Sequence, residues 1–439
     1  MNLYQHGLLD ALRGFAAGSF HASDYLESCI GRTLAVEPKI AAFAHFDPST
    51  VRAALRAVPE GAPLAGLPVA VKDIIATRGV PTEMGSRAFA GHVPPQSANV
   101  VVALERAGGL MFGKSVTTEL AWRNAGATRN PWNLNHTPGG SSSGSAAAVA
   151  AGCVPAALGT QTFGSVIRPA AFCGIVGYKP SFGTLSRVGV HALAGSLDHV
   201  GVLTRSVVDA AFLVSVLAAG GGQASRPVAD APRRARIALL RTSVWPQVSA
   251  EQQAAVQLAA TRFESQGALV SELVLPPMFE QIWAVADVLC SVEAAANHGV
   301  LHDAEPPVIG PAMRDWVRLG RATSGPAYVQ ARDMQRRLID AFAACMASFD
   351  VVLTAPTLAG PPPGLDATGD AVLCTPFSVL GAPAITLPVT RSAAGLPLGI
   401  QLASPWGRDA TLLAVAAWGE ALLPWGEPSD SRDVCFPAL

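Results

Sequence analysis

Three side chains could do chemistry together: Lys72 at the end of LPVAVK, Ser141 in PGGSSSGS, and Ser165 in GTQTFGSVIRP. An amide resists cleavage because the nucleophile must lose a proton and the departing nitrogen must gain one. A neutral lysine can be the base if burial strips its charge. Bringing it from about 10.4 to near 7 means disfavouring the ammonium by roughly 4–5 kcal/mol. A serine placed between lysine and nucleophile can then pass the proton both ways. Of the 31 Lys and Arg residues only four are lysines: Lys39, Lys72, Lys114 and Lys179. Each invites the question of what arginine could not do, and one answer is to lose a proton. Plain packing is the competing answer for any one of them.

The stretch PGGSSSGSAAAVAAG (138–152) admits other uses. A flexible linker would join polar, self-contained segments, but this run opens into an apolar helix and a buried strand. A phosphate loop needs a Lys and a Ser/Thr at the helix start; here Gly144 is followed by Ser145 and Ala146. Gly140–Gly144 also fits GxSxG, which would make Ser142 the nucleophile of an α/β-hydrolase with Asp198 and His199 downstream. That elbow must follow a strand, and Pro131 and Pro138 argue against one. Adjacent Asp and His also make poor triad partners.

The elements that must position these groups read as helices alternating with buried strands. Helical spacing covers Leu8–Ala17, Ala22–Leu34, Ser49–Val58, Asn99–Ala107, Ser145–Ala151, Val207–Ala219 and Asp409–Leu422. Strand-like runs are Leu67–Val71, Leu110–Phe112, Val154–Thr160, Arg236–Leu240, Val351–Thr354, Ala384–Leu387 and Leu398–Leu402. Residues 250–350 read as mostly helical. The Pro/Gly-rich patches near 220–232 and 356–365 read as long loops that separate no change of composition. The expectation is one α/β domain over 1–439, with a central mixed, twisted sheet covered by helices on both faces.

Half of the 439 residues are apolar, only 14% are charged, and the net charge is −1. That supports a large core and offers nothing to attract nucleic acid or an anionic membrane. The apolar runs Ala146–Leu158 and Val207–Ala219 fall short of the roughly 18 to 20 residues needed to span a bilayer. The N-terminus lacks the layout of a signal peptide, and seven scattered cysteines without CxxC fit a reducing compartment. A cytoplasmic enzyme is expected, and the apolar composition points weakly to a homodimer.

The sequence resembles the amidase signature family, serine hydrolases with a Ser–cisSer–Lys triad. The matching blocks are LPVAVKDIIATRGVPTEMGS (67–86), AGGLMFGKSVTTELA (107–121), TRNPWNLNHTPGGSSSGSAAAVAAG (128–152), GTQTFGSVIRPAAFCGIVGYKPSFGTLSRVG (159–189) and GAPAITLPVTRSAAGLPLGIQLAS (381–404). The resemblance implies Lys72 as base, Ser141 as the relay held by a cis peptide, and Ser165 as nucleophile. It implies an oxyanion hole from the amides of Thr162, Phe163 and Gly164 with Ser165 itself. Lys114 and Lys179 fall in family blocks too, which implies structural roles. No cofactor or metal is implied. Substrate contact is expected at Ala121, Trp122 and Gln161.

The family pattern TD-[IT]-GGSIR-x-P reads TQTFGSVIRP here. Gln161 replaces an Asp, Phe163 replaces a Gly, and Arg168 lies one position late with Ile167 in its slot. Ser143 also replaces a Gly. Trp283 and Trp316 lie in a region that usually shapes the acyl pocket. His298 and His302 sit four apart, with Asp303 adjacent to the second, and the pair could present metal ligands on one helical face; no third ligand is evident and solvated helix residues are expected. The implied activity is hydrolysis of C–N acyl bonds, with a small hydrophobic or aryl amide, an aryl carbamate (urethane) or an ester as substrate alongside water. The rival is the catalytic subunit of a glutamine-dependent tRNA amidotransferase; a non-enzymatic binding protein on the same fold is a second.

Overall fold

A computed structural model describes residues 2–218, 220, 234–425 and 439. One mixed sheet of 11 strands runs through them, flanked by helices. The strands are β1 (Phe43–His45), β2 (Pro68–Lys72), β3 (Leu110–Ser115), β4 (Ala156–Gln161), β5 (Val176–Lys179) and β6 (His199–Thr204). They continue with β7 (Arg236–Leu240), β8 (Leu269–Leu273), β9 (Val351–Thr354), β10 (Ala384–Arg391) and β11 (Pro397–Ala403). Their order is β1-β3-β2-β4-β6-β5-β10-β11-β9-β7-β8. The single α/β architecture expected from the sequence is the one observed.

The expected helices all form, and between 250 and 350 four helices occur: Ala250–Ser265, Ile282–His302, Pro311–Ala322 and Gly325–Cys345. β8 interrupts that region. β1, β5, β6 and the helices Ile167–Cys173 and Thr375–Val379 were also not expected. The proline-rich 356–365 is a loop, whereas most of the patch near 220–232 lies outside the described residues, as does Cys435. The other six cysteines are free thiols.

β2 runs parallel to β3 and β4, with Lys72 opposite Ser115 and Val71 opposite Leu158. Lys72 and Gln161 therefore end neighbouring strands at the same edge, where α/β sheets leave a crevice. The helix Ser143–Ala150 packs on β2, β3 and β4 and is buried along its whole length. Its alanines and Gly144 permit that approach: a Cβ on Gly144 would come within 2.1 Å of the Ala42 carbonyl. The Gly/Ser run thus serves packing, and it is no linker. Among the described residues no helix is long and apolar enough to cross a membrane.

Candidate active site

Lys72 is completely buried at the end of β2. Its Nζ lies 2.7 Å from Ser141 Oγ and 2.9 Å from Thr160 Oγ1. Burial holds its pKa well below the ordinary lysine range; nearby Asp198 opposes that shift and Arg168 reinforces it. Burial alone does not single it out. Burial also lowers Lys114 to about 8 and Lys179 to about 7. Those two amines are spent on the scaffold, however. Lys114 donates to the Ile75 carbonyl at 2.6 Å and to Thr82 Oγ1 at 2.7 Å, 3.7 Å from Asp73, and Lys179 donates to the Ala382 carbonyl. Only Lys72 reaches a serine on the cavity wall.

Ser141 follows a cis Gly140–Ser141 peptide bond. Its loop is pinned from two sides: Thr118 N donates to the Ser141 carbonyl at 3.1 Å, and Ser142 N donates to the Ser165 carbonyl at 3.3 Å. Gly139 has φ +81, and a Cβ there would meet Pro169 Cα at 2.9 Å, so the turn needs glycine twice over. Ser141 and Ser165 both line a cavity of about 530 Å³.

Arg168 is the residue whose role the sequence did not reveal. Its Nε and Nη2 donate to the Gly140 carbonyl at 3.2 and 2.6 Å, and its Nη1 donates to the Gly369 carbonyl at 2.6 Å. It thereby ties the Ser141 loop to segment 366–372 across the cavity. Burial lowers its pKa to about 10.

The amides that the resemblance assigns to an oxyanion hole lie on the turn after β4, which ends at Gln161. Among the described residues no acceptor takes the backbone N–H of Thr162, Phe163, Gly164 or Ser165. Thr162, Phe163 and Ser165 line the cavity, while Gly164 sits behind it against Cys374 and Ala371. Asp198 fixes this turn: Thr162 Oγ1 donates to Oδ1 at 2.6 Å, and the amides of Leu193 and Ala194 donate to Oδ2 at 2.9 and 3.0 Å. Burial raises Asp198 to about 6 despite those donors.

Ala121 and Trp122 line the cavity. Leu120 and Ala121 have φ of 50 and 60, a left-handed pair that costs backbone strain at the wall. Trp122 packs edge-on to Phe163 at 5.8 Å and against Trp316 at 4.5 Å, so it is both wall and core. The Phe163 ring that replaces glycine has gone into that aromatic wall. Trp283 also lines the cavity; Trp316 only backs Trp122.

Gln161 does not fit the expected substrate contact. It is fully buried and absent from the cavity wall. Its Oε1 accepts from Val166 N and Ile167 N at 2.9 and 3.0 Å, and its Nε2 donates to Ser378 Oγ at 3.1 Å. It holds the start of helix Ile167–Cys173 beside Ser165. Gln161→Leu should therefore lower stability by ~1–3 kcal/mol for each backbone donor left unpaired. An unchanged urea midpoint would contradict this placement.

Ser142, the candidate of the α/β-hydrolase alternative, is also fully buried. Its Oγ donates to the Thr160 carbonyl at 3.2 Å, and His199 Nδ1 lies 2.6 Å from the Leu197 carbonyl. Neither faces the other. His298 is not solvated as expected: it is buried and stacks on His191 at 5.1 Å, while His302 pairs with Asp303. Among the described residues no cluster of acidic, His or Cys side chains could hold a metal.

Asp198 and Arg168 bias Lys72 in opposite directions, which gives a paired prediction for an amide-cleavage assay. If Lys72 is the base that the resemblance implies, a proton on it blocks the reaction, so a lower Lys72 pKa moves the acidic limb of kcat/KM to lower pH. Asp198→Asn removes the opposing charge and should shift that limb down. Arg168→Met should shift it up. Profiles that move together, or not at all, would contradict the electrostatic placement.

The family model described as Amidase matches residues 24–413. The chain is 34% identical to the A subunit of the glutamyl-tRNA(Gln) amidotransferase of Chloroflexus aggregans, over 93% of its length and 95% of that protein's. It superposes on 6-aminohexanoate cyclic dimer hydrolase with a TM-score of 0.87 at 27% identity, covering 97% of this chain and 98% of the other. The A subunit of the glutamyl-tRNA(Gln) amidotransferase of Thermotoga maritima gives 0.74 at 27% identity, covering 94% and 93%. The chain belongs to the amidase signature family, whose enzymes act on C–N bonds.

Proposed function

We propose that this chain hydrolyses small hydrophobic or aryl amides through an acyl-enzyme on Ser165. Ser165 Oγ attacks the carbonyl; as it meets the Ser141 hydroxyl on the same cavity wall it gives up its proton there, and Ser141's own proton passes to neutral Lys72. The negative oxygen of the tetrahedral intermediate meets the unengaged amides of residues 162–165, dipoles already oriented for developing charge. As the C–N bond breaks, the proton returns from Lys72 through Ser141 to the leaving nitrogen. Water then attacks the acyl-Ser165 ester by the same relay. The observation that carries this is the 2.7 Å contact between a fully buried amine and Ser141.

The cavity supports the substrate class. Trp122, Phe163 and Trp283 give it flat apolar walls, and about 530 Å³ accommodates an aryl acyl or aryl amine group. Aryl carbamates and esters present the same attackable carbonyl. A second reading is favoured by the 34% identity to an amidotransferase component: glutamine as amide donor, with partner subunits and a tRNA. That reading would replace the expectation of a chain working without nucleic acid. The hydrolytic reading has its own support in the likeness to 6-aminohexanoate cyclic dimer hydrolase. The purified chain, assayed alone on anilides, aryl carbamates, esters, primary amides and glutamine, decides between them. Anilide turnover without glutaminase activity is expected; glutaminase activity alone would reverse the assignment. A fluorophosphonate that failed to label Ser165 would favour a binding protein.

A further inference from the structure

A second cavity of about 160 Å³ lies beside the first, between the ends of β7 and β8 and the helices Ile282–His302 and Thr375–Val379. Its interior is formed by buried Leu240, Leu273, Phe279, Phe342, Phe377 and Leu380. Its mouth carries Arg241, Glu272, Ser243 and Glu280. These polar groups are already matched: Arg241 pairs with Glu272 at 3.2 Å, and Ser243 Oγ donates to Glu280 at 2.6 Å. The mouth therefore offers no uncompensated charge to a visitor; the one buried side-chain polar atom left unmatched on the described wall is the hydroxyl of Thr242.

Trp283 is the wall between the two cavities and lines both. Its Nε1 donates to the Val372 carbonyl at 2.9 Å, which anchors the indole to the segment that completes the partition. Along that segment Val372 and Thr375 face the catalytic cavity, whereas Leu373 and Pro376 face the second. The two spaces are distinct, and the second has no serine, lysine or free amide of the catalytic set on its wall.

We propose that this second cavity is a binding site for a small neutral aromatic molecule in the size range of benzene to indole. An apolar cavity of about 150 Å³ walled by Leu, Ile and Phe stays dry and takes up benzene. The wall atoms of such a space lack dispersion partners on one side, and a flat apolar ring supplies them without breaking a polar contact. A charged ligand would have to displace the Arg241–Glu272 pair at the mouth, which selects for neutrality.

Bromobenzene soaked into crystals of the full chain tests the site independently of any activity. Anomalous bromine density behind Trp283, framed by Phe377 and Leu380, is the expected result. In solution, bromobenzene should raise the melting temperature saturably, because a ligand held only by the folded state stabilises it. Leu273→Trp, which fills the cavity from its edge strand, should abolish both effects. Bromine density confined to the catalytic cavity, or no density at saturation, would overturn the proposal. An undiminished thermal shift in folded Leu273→Trp would overturn it as well. If that variant does not fold, the density in the unaltered protein decides alone.

Discussion

Ser165→Ala is expected to lower kcat/KM for an aryl amide by roughly 10⁴–10⁶-fold, the scale of single-residue deletions within a serine hydrolase triad. The Ser165 side chain lines the cavity of about 530 Å³, and among the described residues no hydrogen bond involves its hydroxyl. Its removal therefore takes away the attacking group without orphaning a buried donor. The backbone amides of residues 162–165 stay in place, so a residual rate above the uncatalysed one should persist. Steady-state assays, with mass spectrometry for loss of fluorophosphonate labelling, check this. Activity within tenfold of wild type, with the melting temperature unchanged, would remove Ser165 from the nucleophile role.

Lys72→Met should reduce kcat by roughly 10²–10⁴-fold or more, the contribution usual for a positioned base. Its effect on stability has the opposite sign from most core substitutions. Burial depresses the Lys72 pKa in the folded chain, while the unfolded chain keeps the ordinary lysine value. Between those two values the unfolded state binds more protons, so stability rises with pH across that window. At neutral pH the folded protein carries the cost of keeping this amine uncharged or burying its charge. Methionine removes that cost, so the melting temperature at pH 7 should hold or rise, and the pH slope should flatten. Lost activity accompanied by a fall in melting temperature and an unchanged slope would make Lys72 a structural residue.

Much of this site was legible because its chemistry is tied to unusual residues. A scarce lysine behind LPVAV and a Gly/Ser turn opening into an alanine helix are local signals, and the structure brings Lys72 and Ser141 together. What stayed hidden depends on tertiary contacts. Arg168 looked displaced by one position, yet it grips the Gly140 carbonyl 28 residues away. Asp198 looked like half of a false triad, and its actual partner, Thr162, lies 36 residues away. Gln161 looked like a substrate contact because it stands next to the site, but its amide faces inward to backbone donors.

The missed strands have a physical reason too. β5 and β6 contain Gly177 and Gly201, and an interior glycine reads as a break in a strand. In the fold, a Cβ on Gly177 would meet Ala170 Cβ at 2.5 Å, and one on Gly201 would meet the Tyr178 carbonyl at 2.7 Å. The glycines that obscured these strands are the ones that let the sheet and the helix behind Ser165 approach. β8 is an edge strand with mostly exposed side chains, so it carries no apolar alternation to read.

The central claim is that Lys72 is an uncharged amine at working pH. With only four lysines in the chain, ε-carbon-13 labelling of lysine gives four resonances, assignable by single substitutions. A pH titration by NMR then reads each protonation state directly. The Lys72 resonance is predicted to titrate well below the ordinary lysine range, because burial disfavours its ammonium form. A Lys72 signal that stays in the ammonium position until pH 10 would contradict the account.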